Sequence, residues 1–247
     1  MTHCGPPCLG YSHLNSSTVN ELVADAAPVS MSLALVALVM WLVCGVLFGV
    51  LAAVYKGSLL DRGVVGLTLV AYAFPTFFIG AFFLKYLAVK WAVFPYPNYT
   101  TIADGGVWGW FSNLIMPAFT LALVFIAGYV RMSRAFVLES MGEDYIRTAR
   151  AKGLPQRTVL FKHGLRAALT PLVTMAGLDF ATLLGGAIIT EYVFSYPGLG
   201  LLTVQANAAF DLPTIVGVVL VAGAFVILAN IIVDVSYAFI DPRVRLG

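Results

Sequence analysis

Residues 29–54 read VSMSLALVALVMWLVCGVLFGVLAAV, with no Asp, Glu, Lys or Arg in the stretch. A helix needs about 20 apolar residues, each rising 1.5 Å, to cross roughly 30 Å of bilayer hydrocarbon. Working outward from Val29–Val54, four more stretches meet that requirement: Val64 to Val89, Asn113 to Val130, Thr170 to Ile189 and Pro213 to Ile240. The expected fold is all-α, a polytopic integral membrane protein with five transmembrane helices. Composition agrees: 60% of the 247 residues are hydrophobic and 11% charged, against about 25% charged in soluble domains. A soluble core could not absorb so much apolar surface without large exposed patches. The lipid bilayer is therefore the first partner. The net charge of +2 gives no footprint for nucleic acid, and none is expected to bind.

The links between spans set the orientation. Lys56 and Arg62 follow the first span. Arg131, Arg134, Arg147, Arg150, Lys152, Arg157, Lys162 and Arg166 follow the third, and Arg243 and Arg245 end the chain. Twelve of the fourteen basic residues thus fall on one side, which marks it as cytoplasmic. Residues 1–28 are expected outside and the C-terminus inside. No positively charged region precedes the first apolar stretch, so no secretory signal peptide is read there. Cys4 and Cys8 are read as two free thiols on a frayed end, with a disulfide in an oxidising compartment as the alternative. With only His3 nearby, no metal site is expected. Gly45 and Gly49 form a G-x-x-x-G pair, either a close helix contact or chance. Pro75 and Pro117 either kink helices or mark helix starts.

The mechanism is expected in the polar segment at about 131–169. Residues 140–155 read SMGEDYIRTARAKGLP, the pattern of a short capped helix. Ser140 and Glu143 have capping-box spacing. Acidic Glu143 and Asp144 precede basic Arg147, Arg150 and Lys152, as the helix dipole favours. Gly153 suits the left-handed position after a helix, and Pro155 stops continuation. Ile146, Ala149 and Gly153 share one small apolar face. A second helix is expected over Gln156 to Leu169, ending at Pro171. Two readings stand: an amphipathic helix on anionic lipid, or a knob for a groove in a cytosolic partner.

The same stretch resembles the cytoplasmic loop of permease subunits in binding-protein-dependent ABC importers. Against that loop's general pattern the sequence matches at Ala149, Gly153 and Leu165 and departs at Arg147, Thr148, His163 and Arg166. The specific form from Asp144 to Leu154, DYIRTARAKGL, is similar to the dipeptide, oligopeptide and nickel permeases. The stretch from Glu191 to Gly200, EYVFSYPGLG, with Asp211-Leu-Pro213, is similar to the outward loop of that group. Asp234, Tyr237 and Asp241-Pro-Arg243 resemble its C-terminal end. Leu9-Gly-Tyr-Ser12 and Thr18-Val-Asn-Glu-Leu22 resemble the external segment before its second helix.

The resemblance implies the type I importer permease fold over residues 29–247, with six spans in the family, so that the family's first helix is expected to be absent here. It implies a coupling helix formed by Glu143, Asp144, Tyr145, Ile146, Arg147, Thr148, Ala149, Arg150, Lys152, Gly153 and Leu154. It also implies an outward loop or gate including Glu191, Phe194, Pro197, Gly198 and Gly200. The implied partners are a second homologous permease subunit, two ATP-binding subunits and an extracytoplasmic substrate-binding protein, in a bacterial plasma (inner) membrane. ATP and Mg would sit on the partner subunits. This chain would carry no cofactor and no catalytic residue, consistent with its lack of a phosphate loop. Cargo would be a di- or oligopeptide, alternatively nickel or another small solute.

Asp179, near the middle of the fourth span, is a costly carboxylate and a candidate for the translocation path; a helix–helix hydrogen bond is the structural reading. Asp234 is read as structural and Asp211 as solvated loop charge. An intramembrane protease is disfavoured, because the histidines lie in links or ends. An ATP-independent secondary transporter is the rival of a different class, but no internal repeat supports it.

Overall fold

The computed structural model describes residues 8–240; the side chains of 181, 182, 184–186, 233, 234 and 236–240 are outside that description. The readings of Cys4, His3, Arg243, Arg245 and the Asp241-Pro-Arg243 match fall outside it, as do the side chains of Asp234 and Tyr237. In order, the elements are strands β1 (Tyr11–Ser12) and β2 (Ser17–Thr18), then α1 (Val19–Val54), α2 (Leu59–Ala73) and α3 (Thr76–Phe83). A π-helical turn, Leu84–Lys90, continues α3. There follow α4 (Ile102–Ser140), α5 (Asp144–Ala151), α6 (Gln156–Thr158), a second π turn (Val159–Gly164), α7 (Leu165–Gly186), α8 (Ile188–Phe194), α9 (Leu199–Ala208) and α10 (Leu212–Ile240).

The protein is all-α as expected, apart from the two-residue hairpin. Three helices are long and apolar enough to cross a membrane: α1, α4 and α10 over Leu212–Ile232. A fourth span results if α2 and Thr76–Lys90 count as one. In that pair the span expected over Val64–Val89 is interrupted, and of the readings of Pro75 the structure has a helix start: α2 stops at Ala73, α3 begins at Thr76, and the chain bends by 99° between them. The cause is Pro75. It has no N–H to continue the ladder, and it holds Phe74 in the extended region (φ −96°, ψ 137°). Pro117 behaves differently, lying inside α4 without ending it. α7 covers most of the stretch expected as the fourth span, Thr170 to Ile189, but is not among the helices that meet the length and hydropathy requirement in the described residues.

The chain forms two compact units. One comprises residues up to 37, 75–121 and 179–231; the other comprises 38–74, 122–178 and 232 onward. The first unit is anchored where α1 begins. Thr18 and Glu21 make a reciprocal cap, Glu21 N–H to Thr18 Oγ1 (3.3 Å) and Thr18 N–H to Glu21 Oε2 (3.1 Å). Val19, Val23 and Ala26 then pack on Leu199 and Val218. In the second unit α1 and α4 meet closely. A Cβ on Gly45 would lie 2.5 Å from Tyr129 Cβ, and one on Gly49 2.5 Å from Ser133 Cβ. The G-x-x-x-G pair is therefore a real contact, close because it has no side chains. One turn away Trp41 stacks on Phe125 at 4.6 Å. Asp61, on α2, holds the same α4 surface by a two-pronged ion pair to Arg134 (2.7 and 2.8 Å).

Candidate functional site

The polar segment of the second unit contains α5, built from the residues expected to form it, but its start differs. Glu143 is the N-cap and makes no side-chain cap bond. Ser140 is not a capping-box partner, because it still belongs to α4. Its hydroxyl donates to the Gly164 carbonyl (3.0 Å) and meets the Tyr145 hydroxyl (2.7 Å). One side chain thus ties the end of α4 to the start of α5 and to the π turn before α7. Gly164 permits this approach; a Cβ there would lie 2.7 Å from Met141 Sδ.

Ile146 is fully buried and Ala149 nearly so, packed with Val159 and Met141. The apolar face of α5 is spent on its own chain. What faces outward is polar: Glu143, Asp144, Arg147, Thr148, Arg150, Lys152 and Gly153, with Tyr145 and Leu154 partly exposed. Arg147 pairs with Asp144 at 3.2 Å, both fully at the surface, where such pairs contribute little. The end is as expected: Gly153 has φ +75°, and Pro155 caps α6. The expected helix from Gln156 to Leu169 forms as one helical run, but it contains a π turn and does not end at Pro171. It passes from α6 through the π turn into α7, which runs on through Pro171.

The second cluster lies in the first unit, between α8 and α9. Glu191 is 1% exposed. Its carboxylate accepts the Ser30 hydroxyl (2.6 Å) and the N–H groups of Gly200 (2.7 Å) and Leu201 (3.3 Å). Ser30 Oγ in turn accepts the Leu199 N–H (2.8 Å). The side chains of α1 and α8 therefore satisfy the open N-terminus of α9, where a carboxylate is favoured. Burial pushes the Glu191 carboxyl above its usual range, partly offset by the Ser30, Gly200 and Leu201 hydrogen bonds. Gly198 and Gly200 are required by this carboxylate. A Cβ on Gly198 would collide with Glu191 Oε2, and one on Gly200 would sit 2.5 Å from Ile188 Cα. Phe194 is buried against Gly80, whereas Pro197 is exposed. Tyr196, which the sequence did not single out, is fully buried and donates to the Asn113 carbonyl (2.7 Å).

Asp211 is not the solvated loop charge expected. It is 7% exposed and accepts hydroxyls from Ser12 (2.5 Å) and Thr214 (2.7 Å). Burial would raise its carboxyl, but these hydroxyls, the Thr214 amide and His13 outweigh that and hold it below its usual range. Cys8 is disulfide-bonded, contrary to the free-thiol reading, and Cys44 is free. Asp179 is half-buried in α7. Asp61 and Arg134 were missed in the sequence; the only signal was the Ser58-x-x-Asp61 cap, with Asp61 N–H to Ser58 Oγ at 3.3 Å.

Residues 45–246 match the family model of the binding-protein-dependent transport system inner membrane component. A Brucella abortus protein named for a peptide transport system permease is 40% identical over 96% of this chain and 75% of its own length. The dipeptide transport system permease protein DppB of Escherichia coli is 37% identical over 96% of this chain and 76% of its own. In fold, the inward-facing MetNI methionine ABC transporter aligns with a TM-score of 0.71 at 19% identity, over 89% of this chain and 96% of that one.

Proposed function

Because this chain belongs to the family of binding-protein-dependent transport system inner membrane components, we propose that it is the permease subunit through which an ATP-driven importer moves di- or oligopeptides across the plasma membrane. It is a multi-pass membrane component and not itself the ATPase. ATP and Mg belong on two separate ATP-binding subunits, and a second homologous permease completes the path. A substrate-binding protein delivers the peptide on the outer side, where residues 1–28 and the α8–α9 segment lie. The basic residues of the segment at 131–169 face the cytoplasm.

One observation carries the coupling reading: α5 is fixed by its own buried Ile146 and Ala149 and presents its charged surface outward. A helix held that way is a rigid handle. Closure of the ATP-binding subunits on Glu143 to Leu154 would move it as a body and switch the access of the spans. The buried bonds of Glu191 favour a framing role for the α8–α9 turn in the outward gate, with Phe194, Pro197, Gly198 and Gly200. Asp179 is proposed as a polar contact along the path.

The test is affinity purification of the tagged chain from membranes, with unbiased identification of what accompanies it. Recovery of a sister permease, ATP-binding chains and a binding protein supports the reading. Absence of any nucleotide-binding chain from an intact assembly refutes it, as does labelling of a cysteine placed at Gly153 by a membrane-impermeant reagent applied from outside.

A further inference from the structure

Beside α5, two adjoining cavities in the second unit carry opposite charge. One, of about 350 Å³, is lined by Lys162, His163, Arg166 and Thr170. The other, of about 340 Å³, is lined by Glu139, Glu143, Phe136 and Pro171. Tyr145 and Ala167 line both. Among the described residues none of Lys162, Arg166, Glu139 and Glu143 has an ion-pair partner. Two cations thus face one cavity and two anions the other, a pattern complementary to a small dipolar group of zero net charge.

Tyr145 sharpens the choice. The single Ser140 hydroxyl proton goes to the Gly164 carbonyl, so the Tyr145 hydroxyl must donate to Ser140 Oγ. The Tyr145 oxygen then has lone pairs left to accept an N–H. The lining also has apolar walls at Phe136, Ala168 and Pro171, where α7 enters the stretch read as a membrane span. Each cavity is of the size that holds small ligands.

We propose that these cavities together bind the headgroup of a phospholipid bearing ethanolamine. The phosphate is held by Lys162, Arg166 and His163, and the primary ammonium by Glu139, Glu143 and the Tyr145 oxygen. Phosphate favours Arg and Lys through charge-assisted hydrogen bonds. A primary ammonium gives three N–H donors to the carboxylates, which a choline group cannot. A glycerol headgroup has no cation to offer them.

The experiment is native mass spectrometry of the full chain in mild detergent, titrated with phosphatidylethanolamine, phosphatidylcholine and phosphatidylglycerol of matched acyl chains. The wild type should retain the ethanolamine lipid about tenfold more tightly than either other lipid, the effect of about one charge-assisted hydrogen bond. The K162A/R166A pair should lose about tenfold in that retention, and K162R/R166K, which preserves charge, should keep most of it. E139Q/E143Q should erase the preference over phosphatidylglycerol. Equal retention of the three lipids by the wild type would overturn the proposal. So would K162A/R166A or E139Q/E143Q variants that bind as the wild type does, or displacement of the lipid by inorganic phosphate alone. The readout needs no ATP-binding subunit, so its failure is distinct from a failure of the coupling reading.

Discussion

Replacing Glu191 by alanine tests the α8–α9 staple, and its size can be worked from the geometry. The carboxylate is the acceptor for the Ser30 hydroxyl at 2.6 Å and the Gly200 N–H at 2.7 Å, with a longer bond from Leu201 at 3.3 Å. A buried donor left without an acceptor costs about 1–3 kcal/mol. Two well-made bonds are lost, and the vacated volume adds to the cost. Glu191→Ala should therefore destabilise by about 3–5 kcal/mol. Glu191→Gln should cost less, about 1–2 kcal/mol, because its carbonyl can turn to the Gly200 amide. Its NH2 then faces Ser30 Oγ, which already accepts the Leu199 N–H, and the Ser30 proton loses its acceptor. The assay is denaturant-induced unfolding of the purified chain in detergent. An E191A variant within about 1 kcal/mol of the wild type would refute the staple. The pH arm has a definite sign. Burial raises the Glu191 carboxyl in the folded protein, so the folded state binds its proton more tightly than the unfolded chain. The contribution is complete below the unfolded value, about 4.3, and is lost as pH rises through the folded one. E191Q should lack that decline; an unchanged slope would show that another group causes it.

Gly45→Ala and Gly49→Ala place a Cβ 2.5 Å from Tyr129 Cβ and Ser133 Cβ respectively. Each should cost about 1–3 kcal/mol by overpacking, read by the same unfolding assay. Arg134→Ala strands the buried Asp61 carboxylate and should lower the melting temperature. Arg134→Lys should recover only part, because an ammonium cannot match the two-pronged geometry at 2.7 and 2.8 Å. Ile146→Asp puts a carboxylate against Val159 and Met141, and should uncouple transport from ATP hydrolysis in proteoliposomes while leaving the apolar spans inserted. Gly153→Ala has open space for its methyl but a φ of +75°, so its cost is backbone strain alone, about 1 kcal/mol, with a partial loss of ATP-dependent uptake.

The spans were legible because lipid imposes one requirement on every residue of a crossing helix, and Val29–Val54 meets it throughout. The end of α5 was legible because Gly153 and Pro155 act locally. What escaped depends on contacts distant in sequence. Glu191 was named with the outward loop, but its burial depends on Ser30, 161 positions away, being folded against it. Asp211 reads as solvated because its partner Ser12 is 199 positions away. The capping box failed for a related reason. Ser140 and Glu143 have the spacing, but the hydroxyl finds the Gly164 carbonyl, 24 positions on, and α4 keeps the residue. The bend at Pro75 was partly legible; the proline named the place, but hydropathy runs through it uninterrupted.

The burial of Ile146 and Ala149 changes how α5 can work. Had that face been open, a partner could have gripped α5 by hydrophobic contact alone and shifted it independently of the spans. With the face closed on Val159 and Met141, a partner has the charged rim with Tyr145 and Leu154 to hold. Any displacement must then be passed on through two fixed links. One is the apolar contact to the π turn ahead of α7; the other is Ser140, which joins α4 to Tyr145 and Gly164. A push on the rim therefore reaches the ends of α4 and α7 together. Cutting one link should weaken coupling by an intermediate amount. Cutting both, in Ser140→Ala combined with Ile146→Asp, should cost more than either alone, and additive loss in ATP-driven uptake would mean the links act in parallel.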